Sequence, residues 1–347
     1  MNEIATRRRA TVHDVARTAG VSLATVDRVL NARAGVRAAT IERVEAAIAE
    51  LGFQRDLSAS LLARARDLRV TFIIPEGSNE FMASLAQAVA NRAGPALADR
   101  LHLDIIRIKA LDAMALAHCL DSLQPSACDC AVIVAGEDPS VLVAVDAATR
   151  RGILVVTLVS DLPGSSRRAF IGIDNTAAGR TSASLMGRFC TGHGKVGVIA
   201  GSLHLRDHRD RLEGFRQVIA AEFADIEIIG PIEGHDEHAE TAAQVTTLLA
   251  QHPDLAGIYN LGAGNAGLVS ALTASGRAGT IRVIAHELSE PTRRGLLSGV
   301  IDVAIDQNPD GEIRAAIGAA RALALDSSAA APIEPIEIGI FLRDNLR

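Results

Sequence analysis

The sequence predicts an N-terminal all-α head of helix-turn-helix type followed by an α/β core of two doubly wound parallel-sheet subdomains. Three observations predict it. Residues 11–31, TVHDVARTAGVSLATVDRVLN, hold two short amphipathic segments about a glycine. From residue 69 onward, apolar runs alternate with amphipathic stretches of roughly ten to twenty residues, the pattern of βαβ units. The apolar runs fall at 70–74, 103–108, 131–135, 153–159, 169–173, 196–200, 226–229, 258–261, 281–285, 300–305 and 336–341. That is too many strands for one compact sheet, so two sheets are expected.

Within the head, Thr11 is placed to cap a first helix, with Asp14 as its acidic capping-box partner. Gly20 supplies the tight turn. Ser22 opens a second helix whose Val26, Val29 and Leu30 fall at i, i+3 and i+4. Ala16, Gly20, Val26 and Val29 are small or apolar where two crossing helices meet. Leu23, Ala24, Thr25 and Arg28 then lie on the outer face that would enter a major groove. Residues 38–51 give a third helix with Ile41, Val44, Ile48 and Leu51 on one side, and Gly52 stops it. Residues 54–67, QRDLSASLLARARD, are helix-compatible and lie between the two units; a leucine there would serve as a minor-groove wedge.

Charge supports this division. The 347 residues carry a net charge of −6. Residues 1–69 hold 12 Arg against 8 acidic residues, and the remainder 23 basic against 33 acidic. A basic head on an acidic body suits a nucleic-acid-binding module attached to a sensor. No run of 18 apolar residues occurs, and MNEIATRRRA has no apolar leader core, so a cytoplasmic protein is expected. Cys119, Cys128, Cys130 and Cys190 form no CxxC pair and are expected to be reduced and partly buried.

Three later features invite chemistry. Gly262-Ala-Gly264-Asn-Ala-Gly267 is a literal G-x-G-x-x-G that follows a strand, opens a helix and has Glu287 twenty residues on. An NAD(H)-binding oxidoreductase or dinucleotide-sensing regulator is therefore the rival reading. No catalytic His, Lys or Tyr constellation accompanies the motif. His204, His208, His235 and His238 lie near Asp207 and Asp236, but HLRDH lacks the glutamate of HExxH, so solvent-facing loop histidines are expected and no metal. Nucleophilic catalysis has neither a GxSxG nor a Cys–His pairing to rest on. No enzyme and no cofactor is expected.

The whole order of segments resembles the lactose-repressor (LacI/GalR) family of bacterial regulators. TVHDVARTAGVSLATVDRVLN is similar to that family's head and SASLLARAR to its hinge helix. GIDNTAAGR (172–180), DRLEGF (210–215) and IFLRDNL (340–346) are similar to further family segments. The resemblance implies a head at 1–53, a hinge at 54–68 and a core at 69–347 like the type I periplasmic sugar-binding proteins. One subdomain would be about 69–172 plus 308–327, the other about 173–307 plus 328–347.

Position by position, the resemblance implies that Leu23 and Ala24 read bases with Arg28 beside them. Ser22, Thr25 and Asn31 would contact backbone; Leu62 would be the minor-groove wedge and Ala59 the small residue before it. Leu23 and Ala24 are apolar, so they suit thymine methyls rather than bidentate hydrogen bonds, and specificity shifts toward Arg28 and DNA shape. Asp27 stands where a serine is common in the family, and Arg55 where a proline often opens the hinge. In the core, Asn79, Phe81, Asp161, Asp174, Arg211, Asn260, Glu287 and Gln307 would surround an effector. Carboxylates and amides pair with vicinal hydroxyls, a planar arginine spans two oxygens, and an aromatic face packs on ring C–H groups. The implied protein is a homodimeric regulator, a repressor in most of the family. Its partners would be a near-palindromic double-stranded operator and a sugar, polyol or cyclitol effector that controls DNA binding allosterically.

Overall fold

The computed structural model describes residues 10–30, 35–51, 67–325 and 334–346. The chain divides into two compact units, residues 1–66 and 67–347.

The first unit contains α1 (Val12–Ala19), α2 (Leu23–Leu30) and α3 (Ala38–Leu51). Thr11 starts α1 by the expected reciprocal cap: its Oγ1 accepts from the Asp14 amide (3.3 Å), and the Asp14 carboxylate accepts from the Thr11 amide (2.9 Å). Gly20 ends α1 at φ 62°, a left-handed backbone that glycine takes without Cβ strain. Ser22 Oγ accepts from the Thr25 amide at 3.2 Å and starts α2. Val15, Val26 and Val44, one from each helix, are fully buried together with Ala16, Ala19 and Ala47. Three short helices are marginal alone, and this shared apolar centre stabilises them as a unit.

The second unit holds two sheets. The first runs β2-β1-β3-β4-β5, all parallel: β1 (Leu68–Glu76), β2 (Leu101–Lys109), β3 (Cys130–Ile133), β4 (Leu154–Leu158) and β5 (Ala169–Ile171). Helices cover both faces, so the strands read as near-continuous apolar runs. Phe72 and Ile74 face α4 (Glu80–Ala98) and α12 (Pro309–Leu325), whereas Ile73 faces α5 (Ala113–Ser122) and α6 (Pro139–Arg150).

The second sheet runs β11-β10-β9-β8-β6-β7. It comprises β6 (His193–Ala200), β7 (Asp225–Glu233), β8 (Leu255–Asn260), β9 (Arg282–His286), β10 (Val303–Asp306) and β11 (Gly339–Phe341). The sheet is parallel as expected except at one edge, where β11 pairs antiparallel with β10, Ala304 opposite Phe341. On one face lie α7 (Asn175–Phe189) and α8 (Arg206–Glu222), where Phe215 stacks on Tyr259 at 4.7 Å. On the other lie α9 (His238–Gln251), α10 (Asn265–Ala274) and α11 (Glu290–Ser298).

Two glycines set how closely α7 and α8 approach. A Cβ on Gly179 would collide with the Arg211 carbonyl, and one on Gly214 with the Thr176 carbonyl. The two helices thus press backbone on backbone, which carries Arg211 to the ends of the second sheet's strands. The chain crosses from one sheet to the other after β5, after β10, and between α12 and β11. The open ends of the parallel strands in both sheets therefore border one crevice, the usual place for a ligand in such folds.

Candidate functional site

On the head, the exposed stretch of α2 carries Ser22, Leu23, Ala24 and Arg28; Leu23 is 41% exposed although apolar. Thr25 is half-buried, its hydroxyl 2.9 Å from Ser22 Oγ. Leu23 therefore presents an apolar side chain to solvent on the outer face of α2. Asn31, Ala59, Leu62 and residues 54–66 of the expected 54–68 hinge lie outside the described residues.

In the core, contacts span the crevice between the sheets. Ser78 Oγ donates to the Asp236 carbonyl (2.9 Å), Asn79 Nδ2 to Asp236 Oδ2 (3.0 Å), and His238 pairs with Glu80 (2.9 Å). Farther along, the Arg206 amide donates to Ser160 Oγ (2.9 Å) and Glu137 pairs with Arg209 (2.6 Å). Asp236 sits at φ 60° after His235 at φ 48°, two consecutive left-handed residues without glycine. Asp236 Oδ1 also accepts from the Ala263 amide at 2.8 Å, which ties that bend to the end of β8.

Behind these contacts lies a deep chamber of about 20 Å³, lined by Asn79, Phe81, Asp207, Arg211, Glu287 and Gln307 among others. Arg211 is 1% exposed: Nε donates to Asn175 Oδ1 and Nη1 to the Leu261 carbonyl, both at 2.8 Å. Its Nη2 stands 3.7 Å from the Asp207 carboxylate, one helical turn back, and has no hydrogen-bond partner. Gln307 Nε2 donates to Glu287 Oε1 at 2.5 Å, while Glu287 Oε2, Gln307 Oε1 and Asp207 Oδ1 are all buried without partners. Buried polar atoms left unmatched are costly, so the void they surround is the candidate binding site. An outer cavity of about 240 Å³ adjoins the chamber and shares Asn79, Met82, Val134, Leu205 and Asp236 with it.

Burial governs the site's protonation. It pushes the Glu287 carboxyl up to about 8; Asp306 and Asp207 push the same way, while Arg211 and Gln307 oppose. Glu312, fully buried on α12, is held well above the ordinary carboxylate range by burial, with Glu287 adding to it. His286 is driven well below its ordinary value by burial, then by Arg211 and His208, and its Nε2 lies 2.8 Å from the Tyr259 hydroxyl.

Of the core residues chosen from sequence, Asn79, Phe81, Arg211, Glu287 and Gln307 converge on the chamber. Three others do not. Asp161 accepts from Thr157 Oγ1 and the Leu162 amide and pairs with Arg167, and Asp174 caps α7 through the Ala177 amide; both border a separate depression. Asn260 is turned beneath the chamber, its Nδ2 donating to the Ala263 carbonyl and to Asn265 Oδ1. Residues missed from sequence are Asp207, His208 and Asp236. Asp207 was discoverable as the i−4 neighbour of Arg211; Asp236 depends on a bend that no residue type announces. His208 corrects the expectation of a solvent-facing histidine: it is 4% exposed, with Nδ1 3.1 Å from the Ser202 backbone. Among the described residues no group of three His, Cys, Asp or Glu is disposed to hold a metal, and Cys128, Cys130 and Cys190 are buried free thiols.

The G-x-G-x-x-G turn is a packing device. The space a Gly264 Cβ would need is filled by Thr241, that of Gly267 by the His238 carbonyl, and that of Gly262 by Gly201 and Asp236. A dinucleotide fingerprint keeps its second glycine open for pyrophosphate; here α9 occupies that approach. Glu287, the ribose ligand in that reading, instead pairs with Gln307. The dinucleotide reading has no support.

Fold and cleft define a two-lobed binding protein that carries a helix-turn-helix head. Residues 70–327 match the periplasmic binding protein domain, and residues 11–56 match the bacterial regulatory proteins of the lacI family. Over most of its length the chain belongs to the periplasmic binding protein domain family, and its N-terminal segment is similar to the lacI family of bacterial regulatory proteins. The maltose regulon regulatory protein MalI of Escherichia coli is 44% identical over 82 residues, which is 24% of this chain and 24% of MalI. The D-ribose/D-allose-binding protein of Pseudomonas aeruginosa is 25% identical over 250 residues, 69% of this chain and 76% of that protein. The match to MalI thus spans about a quarter of that relative's length. A solute-binding protein from Burkholderia graminis, solved in complex with D-arabinose, superposes with a TM-score of 0.75 at 24% identity, covering 81% of this chain and 97% of its own. No described helix is long and apolar enough to cross a membrane.

Proposed function

We propose that this protein is a cytoplasmic, homodimeric transcriptional regulator, a repressor, whose operator binding is controlled by a small polyhydroxylated effector in the crevice. The observation that carries this reading is the presence on one chain of a helix-turn-helix and a cleft in which unpartnered polar atoms converge. Ser22, Leu23, Ala24, Thr25 and Arg28 are the proposed DNA-contacting residues of the head, with Asn31, Ala59 and Leu62 assigned by resemblance. Asn79, Phe81, Arg211, Glu287 and Gln307 are the proposed effector residues. Asp161 holds the loop after β4, Asp174 the start of α7 and Asn260 the turn after β8, so these three are not among the proposed ligand contacts. The domain limits are those expected from sequence, with the two lobes exchanging chain at the three crossings.

A two-fold dimer requires a near-palindromic operator. Effector binding favours one lobe arrangement, and the coupling to DNA is roughly 1–3 kcal/mol, the usual range for two-site linkage. The test is selection of bound sequences from random duplexes by the purified full chain, then footprinting with and without sugars. Recovery of a two-fold motif whose occupancy a sugar alters supports the reading; no enriched motif refutes it.

A further inference from the structure

We propose that the effector carries a primary ammonium group, an amino sugar or aminocyclitol, and that this group seats in the deep chamber while the ring extends into the outer cavity. The inference rests on the regulator reading above and names its ligand class.

The donor–acceptor count in the chamber is lopsided. Asp207 Oδ1 on α8, Glu287 Oε2 after β9 and Gln307 Oε1 after β10 are buried oxygens without partners, contributed by three separate elements, and all three accept once the Glu287 carboxyl gives up its proton. Their residues are 3%, 6% and 1% exposed. Against these the chamber lining offers one unpartnered donor, Arg211 Nη2. A hydroxyl that donates to an acceptor brings an oxygen that itself needs a donor. An ammonium donates three hydrogen bonds and accepts none, which matches three converging acceptors.

Charge and size agree. The carboxylates lining the chamber are Asp207, Asp236 and Glu287; the cationic side chain among them is Arg211, with His208 alongside. The outer cavity is lined by Glu76, Asp112, Asp138 and Glu237 against Lys109, with Glu137 already paired to Arg206 and Arg209, so its lining favours a cation. A chamber of about 20 Å³ admits a head group the size of one water, whereas about 240 Å³ outside it leaves room for a ring. Met82, Ile108, Leu111, Val134 and Leu205 give that outer space an apolar wall for ring C–H groups. An ammonium beside Glu287 favours its ionised form, drawing out the proton that burial retains.

The test is calorimetric titration of the full chain with matched ligands: D-glucosamine against D-glucose and N-acetyl-D-glucosamine, D-galactosamine against D-galactose, and an amino-deoxy-inositol against myo-inositol. In at least one set the amine should bind about tenfold or more tightly than its neutral counterparts. Glu287→Gln, which keeps the shape, should remove most of that preference, with circular dichroism confirming the fold. A neutral sugar that binds as tightly as its amine overturns the ammonium assignment and leaves the regulator reading standing. Failure of every amine to bind overturns the assignment as well. Binding of an amine with no effect on the selected operator keeps the assignment and refutes the regulator reading.

Discussion

Gln307 Nε2 donates to Glu287 Oε1 at 2.5 Å, joining the ends of two adjacent strands and leaving the far oxygen of each side chain unmatched. The pair fixes the floor of the cleft and at the same time leaves it incomplete. Its position follows from register: β9 and β10 run parallel with His286 beside Ile305, so the residues just beyond their ends meet.

Glu287 makes stability depend on pH. Its folded-state value of about 8 lies above the ordinary carboxyl value of 4.5, so the native state holds a proton that the unfolded state has released. Between those values the contribution is unfavourable and grows as pH rises; it is fully relieved only below the unfolded value. Glu287→Gln should therefore raise the melting temperature more at pH 8 than at pH 5, on the order of a few kcal/mol of differential stability. Equal shifts at both pH values would show that Glu287 is ionised in the native protein.

Arg211 should be essential to ligand binding yet not to the head. Arg211→Ala leaves Asp207 buried beside a void and removes donors to Asn175 Oδ1 and Leu261. A loss of about 3–5 kcal/mol in core stability is expected, the usual cost of orphaning a buried charge. Arg211→Lys should recover part of the stability but not ligand affinity, since an ammonium cannot reproduce the planar fork. Denaturant melts and ligand titration of both variants separate the two effects.

Gly179→Ala drives a methyl into the Arg211 backbone and should cost about 1–3 kcal/mol or more by overpacking. Because the strained segment carries Arg211, ligand affinity should fall with stability. Gly318→Ala, on α12 with open space at that position, serves as the comparison and should be close to neutral.

Asp236 links Asn79 across the crevice to the Ala263 turn. Asp236→Ala should favour the open arrangement, seen as a larger radius of gyration by small-angle scattering, and weaken ligand binding about tenfold or more. An unchanged scattering profile with unchanged affinity would show that this link does not hold the lobes together.

Much of this was legible in the sequence because it depends on local rules. Thr11, Asp14, Gly20 and Ser22 fix the ends of α1 and the start of α2 by capping chemistry that three or four residues determine. The strands could be found because both sheets are covered on both faces, so Phe72, Ile73 and Ile74 are all apolar. Arg211, Glu287 and Gln307 were reachable through the family resemblance and their places near strand ends or on a quoted segment. Asn260 also ends a strand, but its amide turns inward to Asn265, and residue type does not encode that direction. His208 looked solvent-facing because a charged run, HLRDHRD, surrounds it; the close α7–α8 approach buries it. The G-x-G-x-x-G failed as a functional motif because close packing on α9 needs the same absent Cβ as close approach to a phosphate.

The central claim is linkage between the cleft and the DNA-reading head. Fluorescence anisotropy of the selected operator with the full chain measures it directly, with and without a saturating ligand established by calorimetry. The predicted result is a change in DNA affinity of roughly 5- to 150-fold, abolished in Arg211→Ala. An operator affinity that stays the same while the ligand is bound would contradict the account.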